Sequence, residues 1–176
     1  NLSLHGGIAM ILSKKTICIL KGKLQRSVCY LTVIFLPAIT WGADPVDREY
    51  VIDERGELRA FSRAVATQGG RTIWLAGQTA TIDASGNLLI GDFEGQTREI
   101  FNILSQRLEH FGGTLSDIVT MTVYINDVRN GDAFVEIRKE QFEEGRYPSS
   151  ALITVVGFAR PEIMIEIKAT AVVEGD

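Results

Sequence analysis

The segment from Tyr147 to Ala171, YPSSALITVVGFARPEIMIEIKATA, constrains this chain more than any other. It reads as two β-rich runs, Ala151 to Val156 and Ile163 to Val173, joined by a short loop. The second run carries one carboxylate, Glu166, among apolar neighbours. A chain ending in two such runs has to bury them in a sheet. The segments before them then have to supply the remaining strands and whatever covers one face.

Those segments alternate in kind. Residues 44–57 are polar, lack a regular apolar period and read as an extended arm. Glu57 to Ala66 alternates Leu58 and Ala60 against Arg59 and Phe61, which predicts a strand. Gly69-Gly70 supplies a turn, and Arg71 to Gln78 is a second, mostly apolar strand, so the two are expected to form a hairpin. A turn at Asp83 to Asn87 leads to a short strand at Leu88 to Ile90. Asp92 is placed to cap a helix from about Phe93 to Phe111, whose apolar stripe is Ile100, Leu104, Leu108 and Phe111, with Gly112-Gly113 ending it. Asp117 to Asn126 alternates as a strand with one fully apolar face. A second helix is predicted over Gly131 to Glu143, with Phe134, Ile137 and Phe142 inward and Gly145 as its stop. Two helices against one sheet make an α+β layer structure.

Charge divides the chain. Residues 1–43 hold five basic residues and no acid, whereas all 22 acidic residues lie at Asp44 or later, so the leader carries +5 against −9 for the rest. The basic stretch ends at Arg26, an apolar run follows from Val28 to Trp41, and Gly42-Ala43 precedes Asp44-Pro45. This order resembles a bacterial secretory signal cleaved after Gly42 or Ala43, with Met10 as the expected start and the residues before it upstream sequence. The apolar run is shorter than the roughly 20 residues of a membrane span, so no stable membrane insertion is expected after cleavage. A buried helix and an uncleaved anchor are the other readings. The expected location is the periplasm or the exterior, or the cytoplasm if the leader is not part of the protein. Residues 58–176 form the expected functional domain.

Both cysteines, Cys18 and Cys29, lie in the leader, and His110 is the one histidine beyond it. That leaves no thiolate nucleophile and no two-histidine zinc site in residues 44–176. The −9 charge, with only Lys139 and Lys168 as lysines, argues against a nucleic-acid partner. His110 reads as a helix-end residue and Trp74 as packing.

Four segments in order carry a family resemblance: Phe61 to Val65, Leu75-Ala76-Gly77-Gln78, Ser116 to Asp127, and Tyr147 to Ala171. Together they resemble the Rid (YjgF-like) family of reactive-intermediate deaminases over roughly Leu58 to Val173. The resemblance implies a chorismate-mutase-like fold, a mixed six-stranded sheet with two helices packed on one face. It also implies a homotrimer with ligand pockets between subunits, hydrolysis of small imines and enamines to keto acids and ammonia, and no metal or organic cofactor.

The same resemblance assigns candidate site residues. Glu166 matches the family glutamate that orients or activates the hydrolytic water. Gly77 matches a glycine whose backbone lines the pocket. Ser150 stands where deaminating members carry an arginine that grips the substrate carboxylate with two parallel hydrogen bonds, and Phe61 stands where tyrosine is common. Arg63 and Arg160 are candidate replacements for the lost guanidinium, each set against an ordinary solvated surface arginine. Two functions stay open: an imine or enamine deaminase, and a non-catalytic trimer that binds a small metabolite. Ser150→Arg is expected to raise affinity for carboxylate ligands.

Overall fold

A computed structural model of the chain describes residues 45–175, so the leader and its expected cleavage site lie outside the described residues. The described elements are β1 (Asp47–Val51), α1 (Glu54–Arg59), β2 (Ala64–Gln68), β3 (Arg71–Gln78), α2 (Phe93–Glu109), β4 (Ile118–Ile125), α3 (Gly131–Gln141), β5 (Ser149–Thr154) and β6 (Ile165–Val173). Among the described residues no helix is long and apolar enough to cross a membrane.

The class is α+β. The six strands divide into a two-stranded sheet, β1-β2, and a four-stranded sheet ordered β3-β6-β4-β5. In the larger sheet β6 is antiparallel to both β3 and β4, and β4 is parallel to β5, so the sheet is mixed. The connection β4–α3–β5 is therefore a crossover between adjacent parallel strands, which needs a helix to span it. That crossover carries α3 across to the side of β5, the edge strand.

The start of the domain differs from the sequence reading. Within the expected extended arm residues 47–51 pair as a strand, and residues 54–59 are helical where the end of that arm and, from Glu57, a strand were expected. The apolar alternation at Leu58 and Ala60 loses to local capping. Asp53 accepts a 2.7 Å hydrogen bond from the Gly56 amide, and Glu54 and Glu57 favour the positive end of the helix. Leu58 is exposed. Ala60 ends α1 in the left-handed region, φ 56°, and turns the chain into Phe61. The expected hairpin of β2 with β3 is absent: β2 pairs with β1, and β3 pairs with β6. Gly69 and Gly70, both at positive φ, make the turn that passes the chain from one sheet to the other. Leu88 forms only an isolated bridge with Ile82, beyond the Asp83 to Asn87 turn.

The remaining elements follow their patterns. Asp92 caps α2 through the Gly95 amide, and Ile100, Leu104 and Leu108 are fully buried, while Phe111 lies past the helix end and is exposed. α3 ends at Gln141, two residues before the expected Glu143. On α3 and just after it, Phe134, Ile137 and Phe142 are buried, and Phe101 of α2 meets both phenylalanines. The sheet side of this core is Ile165, Ile167, Ala169 and Ala171 of β6 with Met121, Val123 and Ile125 of β4. Ile118 joins the same face because a bulge between Ile118 and Thr120 resets the alternation. The helices thus cover one face of the sheet. The other face carries Tyr124, Glu166, Lys168 and a largely exposed Trp74.

Candidate functional site

The sequence-predicted residues gather into two groups on opposite faces of the four-stranded sheet. Strand pairing fixes this. Tyr124 stands opposite Glu166 on one side and Ile153 on the other, so these three project to the uncovered face. Ser150 stands opposite Met121, a buried core residue, and so projects toward the helices. Sheets alternate side chains strictly, so no rotamer change in one protomer brings Glu166 and Ser150 together.

The first group is Glu166 with Gly77. They lie on paired strands, β6 and β3, beside a register shift between Leu75 and Gln78. A Cβ built on Gly77 would fall 1.9 Å from Glu166 Oε1 and 2.8 Å from Cδ, so this carboxylate rests directly on the glycine backbone. Glu166 lines a cavity of about 400 Å³ with Tyr124, Lys168, Phe158 and Ala159. Arg160, one residue further along that loop, is exposed and lines neither this cavity nor the one on the helix-covered side.

The second group surrounds Ser150. Phe61, Arg63 and Ser150 line a cavity of about 380 Å³ together with Arg55, Arg59 and Arg138. The chain is held here by Ser62, which is buried. Its hydroxyl donates to the Tyr147 carbonyl, and its amide donates to the Pro148 carbonyl at 3.1 Å. That clamp seats the end of α1 against the start of β5. Arg63 lies over the Phe61 ring, 5.1 Å from its centroid, and its guanidinium pairs with Asp53 at 2.8 Å. Its hydrogen bond holds the exposed Asp53 carboxyl below the usual range. Arg63 is therefore already engaged.

Arg138 is the residue that the sequence reading passed over. It sits on α3, four residues after Phe134 and therefore on the same inward stripe, which was the available signal. It is 2 % exposed. Nη1 donates to Ser150 Oγ at 2.7 Å and Nη2 to the Arg59 carbonyl at 2.6 Å, while buried Nε has no partner. Its guanidinium lies over the Phe134 ring, 4.9 Å from the centroid. Among the described residues no carboxylate pairs with it. Burial, reinforced by the positive charge of Arg59, lowers its pKa to about 10. So a guanidinium does stand beside position 150, but it enters from the helix.

Gln96 was also missed. It extends the Ile100, Leu104, Leu108 stripe backwards by one turn, fully buried. Its Nε2 donates to the Leu89 and Glu162 carbonyls at 3.0 and 2.8 Å, and its Oε1 accepts from the Met164 amide at 2.9 Å. It pins the segment that leads into β6 two residues before Glu166. Among the described residues no cluster of three histidine, cysteine, aspartate or glutamate side chains could hold a metal ion.

This arrangement, a mixed sheet covered on one face and carrying a carboxylate-on-glycine contact on the other, belongs to a known class of small α+β domains. The family model described as Endoribonuclease L-PSP matches residues 53–173, and the chain belongs to that family, the Rid (YjgF-like) proteins. A Rid-family protein of unknown function from Yersinia pestis is similar in structure. Its TM-score is 0.63 at 30 % identity, covering 72 % of this chain and 98 % of that one. A RutC family protein of Pyrococcus horikoshii is 29 % identical over 124 residues, 70 % of this chain and 97 % of the relative. The human 2-iminobutanoate/2-iminopropanoate deaminase is 26 % identical over 117 residues, 66 % of this chain and 82 % of the relative.

Proposed function

We propose that this protein is a Rid-type deaminase that hydrolyses small 2-imino acids to 2-keto acids and ammonia. One observation carries the reading: Glu166 is held against the bare backbone of Gly77, in a cavity open to a small substrate. Relatives named as 2-iminobutanoate/2-iminopropanoate deaminase and as 3-aminoacrylate deaminase support the reaction class.

The chemistry asks little of the protein. An imine carbon is electrophilic, and water adds to it once a carboxylate takes one of the water's protons. The same carboxylic acid returns that proton to nitrogen, giving a carbinolamine; the carboxylate then takes the new hydroxyl's proton and passes it to nitrogen as the C–N bond breaks, so ammonia leaves and the carbonyl forms. Glu166 is the group placed for that proton traffic. The carboxylate of the substrate needs a cation, and the cationic cavity lies on the opposite sheet face. We therefore infer that the working site is composite, with the Glu166 side of one copy facing the arginine-lined cavity of another, as in a homotrimer. Export to the periplasm is inferred separately, from the basic-then-apolar order of residues 14–41.

The family description includes an endoribonuclease. The −9 charge of residues 44–176 opposes a polyanionic partner, so the small-molecule reading is favoured. The test generates 2-iminobutanoate in situ and follows keto-acid release. The domain should accelerate it, and Glu166→Ala should abolish the acceleration. No acceleration at high protein concentration leaves a metabolite-binding protein instead, the reading favoured by the lack of an arginine at Ser150.

A further inference from the structure

We propose that Arg138 is the anchor for the carboxylate of a small organic acid in the cavity between α1, α3 and β5, a role reached from the helix rather than from the strand position of Ser150. The inference deepens the deaminase reading and rests on it for the identity of the ligand, though not for the existence of the binding site.

Three observations converge. First, Arg138 is a charged side chain 2 % exposed with no carboxylate partner among the described residues. A lone buried cation is costly, and such groups persist where an anion completes them. Second, its two hydrogen bonds, to Ser150 Oγ and the Arg59 carbonyl, occupy two of five N–H donors and hold the guanidinium plane in place. A fixed fork with spare donors is the geometry that receives a carboxylate. Third, the adjoining cavity of about 380 Å³ is lined by Arg55, Arg59 and Arg63 as well, and among the described residues two carboxylates pair with them, Asp132 with Arg59 and Asp53 with Arg63. The cavity therefore keeps a positive balance suited to an anion of keto-acid size.

In this arrangement Ser150 is a positioning residue. Its hydroxyl oxygen accepts from Arg138 and aims the fork, so it has no need to meet the ligand itself.

The test is calorimetric binding of 2-oxobutanoate, a stable keto acid, to the full chain at neutral pH, with 2-butanone as the form lacking a carboxylate and inorganic phosphate as the competing anion. Expected results are measurable 2-oxobutanoate binding, none for 2-butanone, and at least tenfold weaker binding in Arg138→Met. Should that variant fail to fold by circular dichroism, Arg138→Lys keeps the charge without the fork, and the same tenfold loss is expected. Less than tenfold weakening, no binding by the wild type, or tighter binding of phosphate than of 2-oxobutanoate overturns the proposal. Glu166→Ala separates the two readings. It should stop turnover while 2-oxobutanoate binding still depends on Arg138, and binding by the Glu166→Ala protein that adding Arg138→Met no longer weakens tenfold overturns Arg138 as the anchor. A wild type that binds through Arg138 yet shows no turnover sinks the deaminase reading alone.

Discussion

Arg138 Nη1 lies 2.7 Å from Ser150 Oγ, joining the inward stripe of α3 to the edge strand of the sheet. This one contact changes what the missing strand arginine means. The positive group is displaced by the width of a helix–sheet contact rather than lost, and the serine is its holder.

Ser150→Arg is therefore expected to be harmful, the reverse of the expectation from sequence. A second guanidinium would stand against the first at short range with no carboxylate between them. Chemical denaturation should show a loss of about 1–3 kcal/mol. Keto-acid affinity should not rise, and a tighter complex measured by calorimetry would contradict this account.

Arg138→Met should stabilise the ligand-free protein at neutral pH by about 1 kcal/mol, because removing a buried unpaired charge outweighs two lost hydrogen bonds. The sign against pH follows from the lowered pKa. The folded state disfavours the charged form, so the penalty is complete below about pH 10 and fades as pH rises above that toward the ordinary guanidinium range. Arg59 is the cation that adds to the effect of burial, Tyr147 partly opposes it, and Arg55 and Arg63 line the same cavity. The stability difference between variant and wild type should shrink above pH 10 in urea titrations. A gap that widens there rejects the assignment.

Gly77→Ala places a methyl group 1.9 Å from Glu166 Oε1, so the carboxylate has to swing away. Turnover should fall as far as in Glu166→Ala, while stability drops by no more than about 2 kcal/mol because the carboxylate can move toward solvent. Full activity in Gly77→Ala would show that this contact does not set the working position.

Gln96→Leu keeps the volume near the α2 stripe but strips the Glu162 carbonyl and the Met164 amide of the partner seen here, while the Leu89 carbonyl keeps the Asp92 amide. A loss of about 2–4 kcal/mol is expected from thermal or urea unfolding. Hydrogen exchange at the Met164 amide should speed up with it, and unchanged protection there would argue against the clasp.

Mixing Glu166→Ala with Arg138→Met should restore part of the turnover that each lacks alone, because the two sheet faces would come from different copies. Refolding the two variants together and assaying keto-acid release checks this. Equal inactivity before and after mixing would mean that both groups act within one chain.

Much of this was legible from the residues. The long runs declared themselves by period: α2 through Ile100, Leu104 and Leu108, β4 and β6 through alternation. The short elements did not. Over the six residues of α1, an Asp53 cap and a glycine close to the Phe61 carbonyl outweighed a few alternating apolar positions. Pairing was also hidden, since nothing local in β2 says that its partner is β1 and not β3. Within the site, Glu166 and Gly77 were named through resemblance, and the two lie against each other in the structure. Arg138 and Gln96 were missed because apolar periodicity marks only the apolar members of a buried stripe, and both are polar residues whose partners lie far along the chain or on other elements.

The two sheet faces have unequal freedom to change. Where Glu166 rests on Gly77, main chain and carboxylate touch, and any added carbon dislodges the group proposed to handle the proton. Across the sheet the neighbours of Ser150 are the tips of long side chains, which are easily exchanged. Descendants of this protein could thus acquire new ligand preferences through swaps on α1 and α3 while the reaction chemistry on the far side stays frozen.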